Sequence, residues 1–406
     1  MRGETVSMND VQVDHQPETV ADFLASRGGP FYELQSRLGL LQERTLQVGR
    51  RAVIFIGLAW LVPLLLGLPH SLSFDAANGL PYLLDAGAWA KFFVAIGAFM
   101  LAEQQVEQRL RAKLQQVTVA PIVAPSSLSQ AAQAVNQALK RRDSRVAEAV
   151  CLVNAIIAAG IALRHLLTVD TSSWAVAAAP GANSITLAGW WFVIVSMPLF
   201  WFLVMRGLWR HFVWSLLLRK LARLELRLVS THPDGRAGLG FLGDYPNAYA
   251  TFIFGMSCAV AAAVGQNLLH ETASMTNITI LMVSWLLIVL ALFAFPLSAF
   301  SKPLSDLKKA TLVVLGAQAT QYHRLSERKL TGFNVVANNV AEAEQFQDVV
   351  DPSKQFDTTR KLSTLLMNRA AVIPVSAAAL LPFAIVASTR VPFKDVFDLV
   401  KKLLLL

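Results

Sequence analysis

Apolar residues along this chain gather in unbroken blocks, and neither the 3.6-residue period of a soluble amphipathic helix nor the alternation of a strand organises them. Each block is roughly 17–23 residues long, the length an α-helix needs to cross about 30 Å of hydrocarbon. Six are clear: Ala52 to Leu68, Ala86 to Ala102, Ala147 to Leu163, Ile185 to Met205, Tyr249 to Leu269 and Ile278 to Phe300. A seventh, Ala370 to Ser388, holds Pro374 and Pro382. Prolines are tolerated in spans where neighbouring helices satisfy the freed carbonyls. The pattern therefore predicts an all-α, polytopic transmembrane bundle of six spans plus a seventh.

Between the blocks the chain carries helical signals. Residues 1–51 read as an amphipathic N-terminal region, with one or two short helices through Phe31-Tyr32-Glu33-Leu34 to Val48. Residues 52–300 form the six-span domain. Within it, 103–146 predicts a helical extension from Glu103 to Gln116, a Pro-Ser hinge at Pro121 to Ser127, and a second helix from Ser129. Residues 301–369 form a helical region outside the membrane, with Leu304, Leu307, Thr311 and Val314 at helical spacing. Residues 370–406 hold the seventh block and an amphipathic helix beginning at Pro392. The fourth block runs on into a stretch that separates its faces. Leu217, Leu218, Leu221, Leu224 and Leu228 fall on one side, and Arg219, Lys220, Arg223 and Arg227 on the other. That pattern predicts a helix on the membrane surface, its basic side toward anionic lipid or solvent.

Composition agrees with a bilayer protein. Apolar residues make up 54% of the chain and charged residues only 16%, too few to cover a soluble chain of 406 residues. Lys and Arg concentrate before the first block, between the second and third, after the fourth and after the sixth. The intervening loops at 69–85 and 270–277 hold none, and 164–184 only Arg164. This alternation predicts a cytoplasmic N-terminus, and it accounts for the net charge of +9 without a nucleic-acid partner. The two cysteines, Cys151 and Cys258, lie inside blocks and form no secreted disulfide framework.

One string stands apart: Thr231-His232-Pro233-Asp234-Gly235-Arg236-Ala237-Gly238-Leu239-Gly240-Phe241-Leu242-Gly243. Pro233 fixes one φ and Asp234-Gly235 is a strong turn pair. The glycines permit close backbone approach, and His232 with Asp234 offers a metal or proton-transfer pair, though a rigid turn returning the chain to the membrane is the simpler reading. The string resembles the His-Pro-Asp loop followed by Gly-Leu-Gly-Phe-Leu in a family of uncharacterised bacterial multi-pass inner-membrane proteins. Val372-Ile373-Pro374-Val375 and Pro392 extend the likeness more loosely. It implies localisation and topology, not an activity.

Catalytic constellations are absent from the sequence: no zinc-type helix motif, no phosphate-binding glycine loop and no nucleophile elbow. No intramembrane carboxylate is expected in any block, which argues against proton relays and cation-coupled carriers. Polar residues at depth are few: Asn154, Ser196, Ser257, Gln266, Asn267 and Ser284. In the fifth block Gly255, Ala259 and Ala263 recur every four residues, as do Ser257, Ala261 and Gly265. Small residues on several sides predict a central helix, in the protomer or at a homo-oligomer axis. Asn154, Gly255, Ser257, Ala259, Gly265, Gln266 and Asn267 are thus the candidates for a pore or a packed core. The expected function is an oligomeric channel or transporter for a small solute or ion. The competing class is a membrane-anchored sensor or scaffold that binds a cytoplasmic partner. His70, His165 and His270 follow the first, third and fifth blocks, and Asp75, Asp85, Asp170 and Glu271 share their loops. If those ends converge, imidazoles and carboxylates suit a metal ion at the outer face or a pH sensor.

Overall fold

The computed structural model describes residues 28–40, 47–71, 81–168, 173–177, 184–268, 275–338, 350–389 and 391–405. Seven long apolar helices follow one another: Val48–Leu68, Ala86–Val117, Arg145–Thr168, Leu187–Leu221, Ala250–Leu268, Met275–Leu297 and Arg369–Ser388. These are the first to seventh spans of an integral membrane protein. The seventh is a continuous helix despite Pro374 and Pro382. Five further helices lie outside them: α1 (Pro30–Arg37), α2 (Leu128–Arg142), α3 (Ser301–Thr331), α4 (Ser353–Lys361) and α5 (Phe393–Leu405). One short hairpin, β1 (Val176–Ala177) with β2 (Ser184–Ile185), precedes the fourth span. Since the spans alternate in direction, their ends form two layers. The layer holding α1–α4 and most Arg and Lys is the basic face; the other is the far face.

The second and fourth spans organise the bundle. The second packs on the first and fifth, the fourth on the third, first and sixth, and the seventh closes against the fifth and sixth. Three spans loosen into a π-helical turn, at Gly57–Leu61, Trp89–Ala95 and Phe192–Ser196. A π turn disturbs the i→i+4 ladder and leaves carbonyls available. In the first span two of these are taken up by the fourth: Trp191 Nε1 donates to Leu58 O and Ser196 Oγ to Ala59 O, each at 2.8 Å. Both bonds lie where no water competes, so they fix one helix against the other.

The basic stretch after the fourth span differs from its predicted form. The helix ends at Leu221, and residues 224–228 are extended. Ala124 N donates to Glu225 O at 2.9 Å and Arg227 N to Ile122 O at 2.7 Å, so the strand-like segment pairs with the hinge after the second span. The cause is an ambiguous pattern. Leu224, Leu226 and Leu228 also alternate with Arg223, Glu225 and Arg227, and period two wins because the hinge supplies backbone partners. Nor do the four basic residues form one free stripe. Arg219 lies over the Phe295 ring at 3.7 Å and Lys220 donates to Gln137, whereas Arg223 and Arg227 are exposed.

At the C-terminus α5 buries Val396 and Leu403 in a cluster with Ile278, Met282 and Phe383, and leaves Phe393 and Phe397 exposed. It is held at the far face by the sixth and seventh spans.

Seam geometry separates two glycines that look alike in sequence. A Cβ on Gly255 would stand 3.0 Å from the Phe99 ring, 3.1 Å from Ala98 and 3.2 Å from Ala95 O, whereas one on Gly160 would meet nothing within 4 Å. Gly255→Leu should therefore cost about 1–3 kcal/mol and lower the melting temperature in detergent. Gly160→Leu should leave it unchanged. Equal melting of the two variants would mean that the second and fifth spans are not in close contact.

Candidate functional site

Five charged side chains meet at the basic ends of the first four spans. Glu103, on the second span, accepts from Arg51 Nη2 of the first at 2.6 Å. Its other oxygen accepts from Arg206 and, at 2.9 Å, from Arg210, both on the fourth span. Glu148, on the third span, accepts from Arg206 Nε at 3.3 Å and from the Phe31 backbone N–H of α1 at 2.7 Å. The Arg206 guanidinium also sits 5.0 Å from the Phe31 ring centroid, at cation–π distance. Arg51 is 2% exposed and Arg206 3%, so these two guanidiniums are buried in the bundle, with Glu103 and Arg210 partly so. The chain reaches the cluster through Gly29, whose φ of 90° favours glycine and where a Cβ would fall 2.5 Å from the Glu148 carboxylate.

This overturns the expectation that no block holds a carboxylate. Glu148 is the second residue of the third apolar block, and Glu103 directly follows the second. Both escape notice because block edges are where charges normally reach the headgroups. The informative signal is a carboxylate at each of two edges among a surplus of arginines at the same depth. Beside the cluster, Glu103, Arg210, Tyr249 and Phe252 help line a small space of about 30 Å³. Chemically, the arrangement neutralises carboxylates and immobilises helices. The pairing occupies the groups a transported ion would need.

The span-five candidates sit in helix seams. Gly255 faces the second span and Gly265 faces Val386 of the seventh, Ala259 is buried, and the Ser257 hydroxyl accepts from Trp285 Nε1 of the sixth at 2.8 Å. A cavity of about 690 Å³ opens beside this helix toward the far face, lined by Trp89, Phe254, Cys258, Gly265, Pro382 and Val386 among others. Its lining is apolar. The side chains of Gln266 and Asn267 lie outside the described residues. Asn154 lies apart on the exposed flank of the third span and donates to its own Val150 O at 2.8 Å.

The His-Pro-Asp loop is organised by its acid. Asp234 Oδ1 accepts from Arg236 N at 2.8 Å and Gly238 N at 3.1 Å, and Oδ2 from Gly240 N at 2.8 Å. His232 Nδ1 is 2.9 Å from the same carboxylate. Gly238 has φ 92°, which lets successive N–H groups turn toward the acid. The loop then docks on the segment before the seventh span, where Gly235 O accepts from Ser363 N at 3.0 Å. Partial burial raises the Asp234 pKa, but the three backbone N–H groups and His232 outweigh it and hold the carboxyl below its usual value. His232 and Asp234 thus form a turn lock, with no third metal-ligating side chain among the described residues.

The far-face histidine site is not assembled by the described residues. His165 is exposed; the His70 side chain, His270, Asp75, Asp170 and Glu271 lie outside the description. Asp85 is committed elsewhere: it caps the second span through Gly87 N and Ala88 N and accepts from Trp174 Nε1 at 2.9 Å. No protein-family profile, curated protein or solved structure matches this chain.

Two predictions follow from these contacts. Glu103→Ala leaves three arginines without their shared acceptor and should cost about 3–5 kcal/mol, read as a large fall in melting temperature. Asp357→Asn, which removes an exposed pair with Arg360, should change nothing measurable. If Glu103→Ala melts like wild type, the cluster contributes no net stability. For the loop, a depressed folded pKa means that Asp234 stabilises above its unfolded pKa and that this is lost as pH falls through the folded value. Stability should therefore drop below about pH 4 by more in wild type than in Asp234→Asn. Parallel pH profiles would remove Asp234 from the loop's energetics.

Proposed function

We propose that this protein is a membrane-embedded platform of the bacterial inner membrane that binds a cytoplasmic protein partner through α3. The distribution of Lys and Arg, concentrated on the basic face that holds α3, supports a cytoplasmic orientation of that face under the positive-inside rule. The observation that carries the reading is the tip of α3. This helix continues the sixth span after one 3₁₀ turn, Ser298–Phe300, and its 31 residues extend about 46 Å. Gly332 ends it in the left-handed conformation, and the chain folds back on a polar frame. Asn334 Nδ2 donates to Arg324 O and to Glu327 Oε2, each at 2.8 Å. Arg324 donates to Ala337 O at 3.0 Å and Arg328 to Asn338 Oδ1 at 2.7 Å. On this frame Leu330 is 84% exposed and Val336 73%, with Phe333 and Val335 beside them also exposed. A hydrogen-bonded frame that holds four large apolar side chains outward supports a protein-binding surface.

The channel or transporter reading draws less support. The interior between the first four spans is packed and its charges are mutually paired. The large cavity beside the fifth span is apolar.

Two measurements test the proposal. A photoreactive residue at Val335 in intact cells should give a discrete protein adduct. Phe333→Ser with Val336→Ser should abolish it at unchanged melting temperature, and a reporter fused at Glu327 should read as cytoplasmic. Proteoliposomes should conduct no more than empty vesicles. Solute or ion flux above that background, or a periplasmic signal at Glu327, would overturn the platform reading.

A further inference from the structure

A second large groove lies on the opposite flank of the bundle, between α1 and the third and fourth spans. Its volume is about 710 Å³, and its lining divides into two zones. Phe31, Leu34, Leu152, Pro198, Leu199 and Phe202 form an apolar slot. From the depth of Arg206 to that of Pro198 the slot runs about 12 Å into the hydrocarbon, at 1.5 Å per residue. At the basic end stand Arg37, Arg145 and Glu33, all exposed. Glu148 also lines the groove, but its two oxygens are spent on Arg206 and the Phe31 N–H. The mouth is therefore net positive, with two guanidiniums against one free carboxylate. Among the described residues, neither guanidinium has a hydrogen-bond or salt-bridge partner.

We propose that this groove binds one anionic glycerophospholipid of the same leaflet, its phosphate between Arg37 and Arg145 and an acyl chain along Phe31, Leu152 and Phe202. Three features select this occupant. The slot opens laterally through Ala149 and Leu152, on the exposed face of the third span, so a lipid enters without leaving the bilayer. The charged mouth lies at the basic ends of the third and fourth spans beside the buried ion cluster, where the apolar part of the spans ends. Finally, the walls are two spans and a helix pinned by Glu148, so the slot exists before the lipid arrives and little ordering cost opposes binding. The site differs from the predicted basic stripe, where Arg219 and Lys220 are already engaged by Phe295 and Gln137.

The test is native mass spectrometry of the purified full-length chain titrated with phosphatidylglycerol and, separately, phosphatidylcholine. Each arginine facing a phosphate should favour the anionic lipid by about fivefold, so wild type should retain phosphatidylglycerol well over tenfold better. Arg37→Gln with Arg145→Gln should bring retention to the phosphatidylcholine level. Leu152→Trp, which fills the slot, should reduce binding of the first lipid adduct. Arg223→Gln with Arg227→Gln removes two exposed charges elsewhere and should change neither. Equal retention of the two lipids by wild type would overturn the proposal without reference to any variant. So would an equal loss in the two double variants, which would mean diffuse surface charge, or full binding by Leu152→Trp.

Discussion

A carboxylate shared by three guanidiniums is the contact on which the rest of this bundle depends. Bringing Glu103, Arg51, Arg206 and Arg210 out of water costs several kcal/mol per charge, and only close pairing offsets it. The partners come from three different spans, so the offset exists only when those spans stand at one height. Sliding one helix by a residue moves its charges about 1.5 Å, enough to break bonds of this length. Within hydrocarbon, side-chain packing tolerates such slips poorly but has no long-range term to penalise them. The ion cluster supplies that penalty. About 10–12 Å farther along the first span, Trp191 and Ser196 of the fourth bind the carbonyls freed by its π turn. Two polar clasps at different depths fix both the height and the rotation of the first and fourth spans.

That division explains which features could be read from the sequence. Crossing a bilayer is a demand on composition within one local window, so the spans were visible as apolar runs, including the proline-bearing seventh. The small residues of the fifth span were visible for a similar reason, since a period of four needs only local sequence. The ion cluster was not. Its partners lie 52, 58, 103 and 107 residues apart, and each alone looks like an ordinary charge at a helix end. The stretch after Leu221 shows another limit. Leu217 through Leu228 fits a helical face and, from Leu224 on, a strand face equally well, and the decision is made by backbone partners at Ile122 and Ala124.

Asp234 repeats on a loop what Glu103 does in the bundle: one acid gathers donors that would otherwise be unpaired. The donors here are backbone N–H groups, so the result is a fixed backbone path, with Gly238 supplying the positive φ that the path needs. The loop in turn holds the segment before the seventh span through Ser363 N and Gly235 O. A string that suggests metal or proton chemistry thereby finds a structural use. Its His and Asp satisfy each other and the turn.

The two halves of the bundle are joined by different forces, and this bears on how α3 acts. The first four spans and α1 are tied by ions. The fifth, sixth and seventh are attached mainly by close contact, through Gly255, Gly265 and the Trp285–Ser257 bond. α3 grows from the sixth span, on the side held by packing. On the platform reading, a partner bound at Phe333 and Val336 bears on the sixth span, from which α3 continues. The sixth and seventh spans border the 690 Å³ apolar cavity with the second and fifth spans. In a platform of this design the ion-clasped half supplies the fixed frame.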